Sequence, residues 1–315
     1  MTKILTVGEI LVEIVASTKG DGFREVQPLT GPYPSGAPAI FVDQIGRLGL
    51  EAAIIGRVGD DDFGHLNIAR LKSDGVDVSG IEVAAGEVTG CAFVRYRPDG
   101  SRSFVYTLAQ SATATLSLTE AGEALMDSCG HIHIMGTALS APGMAKTAMQ
   151  AVDRVKARGG TLSFDPNIRS EMLDKPGLRD RLAGVLEQTD IFLPSGDEIF
   201  LFTQASTEDE AVEELLSRGI AETVVKRGDR GASYFARGVR LDAAAFHVEE
   251  RDPTGAGDCF GGTFVAMRLA GETPEKALEC ANAAGALAVT ALGPMEGAST
   301  RAALEAFLEN AEAGR

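Results

Sequence analysis

Short apolar runs recur along this chain, each followed by a longer stretch of helical period, and that alternation restricts the fold more than any other feature. The candidate strands are Ile4–Val7, Ala53–Val58, His131–Met135, Thr161–Phe164, Ile191–Leu193 and Thr223–Lys226. The candidate helices lie near Pro38–Leu48, Phe63–Ser73, Gly143–Arg158, Glu208–Ser217, Asp258–Ala270, Glu275–Leu292 and Arg301–Glu309. A strand that is apolar at successive positions needs cover on both faces. The pattern therefore predicts an α/β, doubly wound, mainly parallel sheet flanked by helices. At 315 residues, 44% of them apolar, the chain can build one large domain over 1–315.

Two regions depart from this rhythm. Residues from about 11 to 33 and from about 88 to 108 alternate with period two and then reach Gly and Pro, without a long helix. Pro98-Asp99-Gly100 reads as the turn of a hairpin. These strands are expected to form a small β-sheet lid over the crevice at the carboxyl ends of the parallel strands. Its open edges offer a route to a homodimer.

The net charge of −16 excludes nucleic acid and anionic membrane as main partners. The cysteines Cys91, Cys129, Cys259 and Cys280 are too few and too dispersed for a disulfide scaffold or a zinc site. The opening residues lack a signal-like apolar run, so a cytoplasmic location is expected. His131 and His133 alternate on a candidate strand and share a face. Without an acid or cysteine near them in sequence, a structural role is the better reading.

The segment Arg251–Phe264 reads RDPTGAGDCFGGTF. Thr254 is a candidate N-cap for the apolar helix that follows. The Gly-Ala-Gly turn exposes the N–H groups of Gly255, Ala256 and Gly257 at that helix's N-terminus, where the dipole favours an anion. Asp258 falls in the first turn beside it. Amides that hold an anion next to a carboxylate suit phosphoryl transfer to an alcohol, with the carboxylate taking the proton.

This DPTGAGD string resembles the C-terminal signature of the ribokinase-like (PfkB) carbohydrate kinases. The resemblance extends over essentially the whole chain: VGDDDFG at 58–64, FDPNIR at 164–169, KRGDRGA at 226–232 and NAAGA at 282–286 match further family segments in order. It implies an ATP-dependent sugar kinase with Asp258 as the base and Gly255, Ala256 and Gly257 as the anion hole. It places Lys226, Gly228, Gly231, Gly255, Gly257 and Asn282 on the ATP side. Glu198 takes the place of an acid that organises Mg²⁺ through water, with Ser195 where the family has Asn. Asp252 and Thr254 stand where the family often holds a monovalent cation such as K⁺, but Gly297 replaces a serine oxygen that some members offer. Arg169 is a candidate contact to the transferring phosphate or the sugar.

On the sugar side the resemblance weakens. Glu13 stands where an Asp is usual, and Ser35-Gly36-Ala37-Pro38-Ala39-Ile40 replaces GGxxxN, so Ile40 occupies the place of a sugar-binding Asn. Asp43 or Gln44 is a candidate substitute for that lost contact. Tyr106 and Phe104 are lid candidates. Leu108 stands where members acting on 2-keto-3-deoxygluconate carry a carboxylate-gripping Arg; Arg95, Arg97 or Arg102 could compensate.

The expectation is therefore transfer of the ATP γ-phosphate to a terminal hydroxyl of a neutral sugar, a ketohexose such as tagatose or fructose. The alternatives are a 2-keto-3-deoxygluconate kinase, then a nucleoside kinase and, in another class, an inactive sugar- and nucleotide-binding regulator. A dehydrogenase is disfavoured because no GxGxxG follows the first strand.

Overall fold

Alternate residues of the buried strands fall into two separate cores, one on each face of the sheet. Ile4, Ile54 and Val224 pack into one; Leu5, Ile55 and Val225 pack into the other. The computed structural model describes residues 2–168 and 173–313. In chain order these residues form β1 (Ile4–Val7), β2 (Leu11–Ala16), β3 (Leu29–Ser35), α1 (Ala37–Arg47), β4 (Ala52–Gly59), α2 (Asp62–Ser73), β5 (Val76–Asp77) and β6 (Ile81–Ala84). Then follow β7 (Gly90–Tyr96), β8 (Arg102–Tyr106), α3 (Glu120–Ser128), β9 (His131–Met135), α4 (Pro142–Ala157), β10 (Thr161–Asp165) and α5 (Leu178–Leu186). The last part holds β11 (Ile191–Phe192), α6 (Glu208–Ser217), β12 (Glu222–Lys226), β13 (Ala232–Ala236), β14 (Val239–Ala243), α7 (Ala256–Leu269), α8 (Pro274–Ala288) and α9 (Arg301–Ala313).

The large sheet runs β14-β13-β12-β11-β10-β9-β1-β4-β5, with β6 also paired to β4. Its pairings are parallel except at one edge, where β13 and β14 run antiparallel. Chain order reverses at β1, which lies between β4 and β9. A ligand crevice is expected beyond the carboxyl ends there. Helices α1, α7, α8 and α9 cover one face and α3 to α6 the other.

The expected lid is a second sheet in the order β3-β2-β7-β8. Gly100 closes its hairpin at φ 83°, and the Asp99 carboxylate accepts from Ser101 N at 2.9 Å. Asp61 ties the lid to the body: it caps α2 through Gly64 N at 2.8 Å and accepts from both the backbone N–H and the hydroxyl of Thr89, just before β7.

Strands β5, β6, β13 and β14 and helices α3 and α5 were not anticipated from the sequence; all are short. Helix α8 ends at Ala288, not Leu292, because the N–H groups of Arg251 and Asp252 take the Val289 carbonyl at 2.7 and 3.2 Å. His131 and His133 are fully buried, and Ser163 Oγ bridges them at 2.8 and 2.7 Å. His133 stacks on Phe41 with ring centroids 3.7 Å apart. Burial holds both rings below the usual imidazole range, so they pack as neutral groups.

Asp43 departs from its expected place. It is wholly buried on α1 and pairs with Arg70 of α2 at 3.2 Å, so its carboxylate is not offered to a sugar. Gln44 is likewise committed, to the backbone N–H and C=O of Ser299. Arg70 also donates to the Met295 carbonyl at 2.8 Å and joins α2 to the segment before α9. Replacing it leaves a buried carboxylate whose pKa burial already raises to about 8. Arg70→Met should therefore lower stability by about 3 kcal/mol in urea unfolding. Adding Asp43→Asn should recover part of the loss; equal losses in the single and double variants would show that the pair does not couple.

Candidate active site

The anion turn is built by backbone constraints. Gly255, not Thr254, is the N-cap of α7, in the left-handed region at φ 83°. A Cβ there would lie 2.2 Å from the Pro294 carbonyl oxygen and 3.3 Å from Ile40 Cγ2, so the position needs glycine. Thr254 is diverted from capping: its hydroxyl accepts from Arg102 Nη1 at 3.0 Å. Ala256 N–H makes only a 3.5 Å turn contact with Pro253 O. A Cβ on Gly257 would stand 3.9 Å from Lys226 Nζ, which puts an ammonium beside the amides. The helix N-terminus and Lys226 thus favour an anion at one spot.

Asp258 is the third residue of α7 and 8% exposed. Its Oδ1 accepts from Asn167 Nδ2 at 3.0 Å. Asn167 is held at φ 42°, a left-handed conformation that asparagine tolerates, and its own N–H donates to Asp165 Oδ1 at 3.1 Å. Asp165, at the end of β10, pairs through its other oxygen with Lys226, at the end of β12. Glu198 accepts from Ile168 N at 2.8 Å and from Ser195 N at 2.7 Å. Ser195 thus serves Glu198 through its backbone. Glu9, just beyond β1, is 5% exposed.

Asp165, Glu198 and Asp258 are crowded around one ammonium, and Glu9 acts on Asp258. Burial pushes Asp258 up to about 8; the Asp165 charge adds to the shift, and Lys226 only partly offsets it. Burial raises Glu9 to about 7 and, with the Asp165 charge, Glu198 to about 6. Such a set of hard oxygens with excess negative charge fits a hydrated divalent cation brought in with phosphate. Among the described residues, no group of three or more His, Cys, Asp or Glu side chains is placed to hold a metal ion.

The nucleotide candidates come together. Lys226, Gly228, Gly231, Gly257 and Asn282 line one cavity of about 640 Å³ beside the anion turn. Gly228 lies at φ 59°, and a Cβ on Gly231 would sit 2.1 Å from the Ala243 carbonyl oxygen. Asn282 donates to that carbonyl at 3.4 Å.

Register places Tyr33, Glu13, Ala92 and Tyr106 in one row across the lid. Tyr96 and Arg102 stand opposite each other on the same face and reach Asp252 and Thr254. Glu13 and Tyr106 therefore share the inward face. Arg95 lies on the other face, bonded to Glu25 and to the carbonyls of Thr18 and Gly22; Arg97 pairs with Asp21. Gly36 caps α1 at φ 113°, where a Cβ would lie 2.3 Å from the Glu9 carbonyl oxygen. Ala37 follows it. Ile40 is 2% exposed beneath the anion turn, an apolar plug in place of an amide. Phe104 stacks with Tyr106 at 5.3 Å. Arg169 lies outside the described residues.

Glu9, Asp165, Asn167 and Tyr96 were not singled out for the site from sequence; Arg102 was weighed only as a sugar-side contact, and it bonds Thr254 instead. The Asp-Pro-Asn turn after a strand was a usable signal for Asp165 and Asn167. No local pattern marks Tyr96, or Arg102 as a partner of Thr254.

Residues 1–301 match the family described as pfkB family carbohydrate kinase. The chain belongs to that family. Fructokinase-1 of Oryza sativa subsp. japonica is 32% identical over 98% of this chain and 98% of its own. An Escherichia coli protein provisionally named ribokinase II, solved with ATP and Mg²⁺, is 48% identical with a TM-score of 0.93, covering 98% of this chain and 100% of that one. A Vibrio cholerae fructokinase is 27% identical with a TM-score of 0.82, covering 98% and 99%; it was solved with fructose, ADP and calcium ion, and as a double mutant with potassium ion. The chain is accordingly a sugar kinase, with the ribokinase-like fold and lid expected from its sequence.

In a pfkB kinase a base must be unprotonated to take the sugar proton. With Asp258 raised to about 8, kcat/KM should climb with pH through that region. Glu9 contributes to the rise, so Glu9→Gln should move the acidic limb to lower pH. An unmoved limb in a pH–rate profile would show that Glu9 does not act on the group being titrated.

Proposed function

We propose that this kinase transfers the γ-phosphoryl group of ATP to the terminal primary hydroxyl of a neutral ketohexose, with fructose the first candidate. The observation that carries the reading is the placement of Asp258, one residue beyond the anion turn and bonded to Asn167, with Lys226 alongside. The sugar hydroxyl lies between Asp258 and the phosphoryl group. Its proton passes to the Asp258 carboxylate as its oxygen bonds to phosphorus, and the bond to the bridging oxygen breaks, leaving its electrons on ADP. The amides of Gly255, Ala256 and Gly257 and the Lys226 ammonium meet the charge on the phosphoryl oxygens. Mg²⁺, held through water by Glu198 and by the phosphates, would neutralise the same charge. Asn167 fixes the orientation of the base. Gly228, Gly231 and Asn282 border the rest of the nucleotide.

Glu13 and Tyr106 from the lid, and Gly36 and Ala37 from below, frame the sugar, while Ile40 leaves one side apolar. Fructokinase relatives support a ketohexose. Leu108 speaks against 2-keto-3-deoxygluconate, and the lid arginines do not compensate: Arg95, Arg97 and Arg102 are engaged with Glu25, Asp21 and Thr254. The complete set of Asp258, anion turn and Lys226 speaks against an inactive regulator. The reading takes 1–315 as one working unit in the cytoplasm; no helix among the described residues is long and apolar enough to cross a membrane. The edge strands β3 and β8, with Leu29 and Val105 exposed, suit pairing of two copies through the lid.

Two measurements test this. Asp258→Asn should lower kcat by about 10² to 10⁴-fold with little change in ATP affinity; wild-type turnover would remove the mechanism. An ADP-release screen over ketohexoses, aldoses, keto-deoxy acids and nucleosides should give the highest kcat/KM with a ketohexose. A keto-deoxy acid at the top would overturn the substrate assignment.

A further inference from the structure

Asp252 is fully buried at the entrance to the anion turn, and its two oxygens accept three hydrogen bonds. One accepts from Tyr96 Oη and from Thr254 N; the other accepts from Gly293 N at 3.0 Å. The Thr254 hydroxyl accepts from Arg102 Nη1 at 3.0 Å and lies 3.4 Å from Tyr96 Oη. Burial and the Asp252 bond keep the Tyr96 phenol neutral and a donor. The position of the missing serine oxygen is closed as well: a Cβ on Gly297 would lie 2.2 Å from the Ala288 carbonyl oxygen. One oxygen of Asp252 and the Thr254 hydroxyl are therefore committed to the lid, the other Asp252 oxygen accepts from Gly293 N, and the third donor cannot be restored without moving backbone. The residues present do not fit a free ion.

The group that does approach this spot is itself a cation. Arg102 stands opposite Tyr96 on the inner face of the lid and is steadied by the Phe104 ring, 5.5 Å from its Cζ. We propose that the Arg102 guanidinium serves as a tethered cation beside the anion turn in place of a free monovalent ion, so that docking of the lid completes the field around the phosphoryl group. Arg102 and Tyr96 are then positioning residues: they act through Thr254 and Asp252 on the turn and do not touch the reacting atoms. A tethered charge needs no dissolved partner and is present only when the lid is down.

The proposal rests on the kinase reading of this site, and its tests separate from that reading because one of them needs no turnover. In thermal unfolding at constant ionic strength, KCl should give the same Tm as choline chloride. A saturable, K⁺-specific rise of about 2 °C or more would show a bound ion and overturn the proposal. In the kinase assay, wild-type kcat should differ by less than about twofold between the two salts, because a site without an ion has nothing to lose on exchange. Arg102→Met, which keeps the stem and removes the charge, should lower kcat by roughly tenfold or more. Arg102→Lys should restore part of that loss. Equal kcat and KM in wild type and Arg102→Met would overturn the proposal, as would equal losses in the Met and Lys variants, which would mark Arg102 as a simple packing contact.

Discussion

A single ammonium, Lys226, acts on the carboxyls of Asp165, Asp258 and Glu198, with Glu9 adding charge toward Asp258, and the rest of the site is arranged around that imbalance. Strand β11 separates β10 from β12 and is only two residues long, Ile191–Phe192. Beyond its end, Asp165 and Lys226 reach across to each other. A buried pair of this kind adds little to stability, but losing one partner strands the other. Its value here is positional. Asp165 holds the Asn167 backbone in a left-handed turn, and that turn aims the Asn167 amide at Asp258. Asp258 is thus oriented from the end of β10 as well as by its own helix α7. The surplus of acid raises the affinity of the site for protons and hard cations together.

What the sequence displayed was whatever short-range chemistry enforces. Strands with both faces buried carry apolar residues on both faces, broken only by a few polar ones such as Thr6, His131, His133 and Thr223, so β1, β9 and β12 were legible with nearly their full bounds. The anion turn was legible because Gly255 must adopt φ 83° under the Pro294 carbonyl and no other residue type serves there. The two-residue strand β5 and the nine-residue helices α3 and α5 carry too few periods to rise above chance. The phosphate half of the site was legible for the same reason as the strands: its residues are local to one turn or one strand end.

The remainder depends on partners far apart in the chain. Asp43 looked like a sugar ligand because it follows the Gly36 turn on α1. Only the packing of α2 against α1 shows that it belongs to Arg70, 27 residues away. Thr254 had the chemistry of an N-cap, and a local rule would have kept it there. It was displaced because Gly255 can take the cap position without strain, while a lid arginine 152 residues earlier needs an acceptor. His131 and His133 show the reverse case: their shared face was visible in the alternation, but the serine between them comes from the neighbouring strand β10.

The lid links the two halves of the site through simple sheet geometry. Glu13 and Tyr106 lie in one row of its inner face, and Tyr96 and Arg102 lie in another row a few residues along β7 and β8. In a four-stranded sheet these rows cannot move independently. When Tyr96 and Arg102 dock on Asp252 and Thr254, the height of Glu13 and Tyr106 over the crevice is set by the same contact. On the proposed reading, the segment around the anion turn thereby sets the depth of the sugar pocket. On the same reading, a sugar too bulky to fit beneath the lid row would hold Arg102 away from the anion turn, so the contact proposed to charge the turn would also measure the substrate. Specificity would then arise from enclosure as much as from individual hydroxyl contacts, which is how the proposed site would accommodate Ile40 in place of an amide.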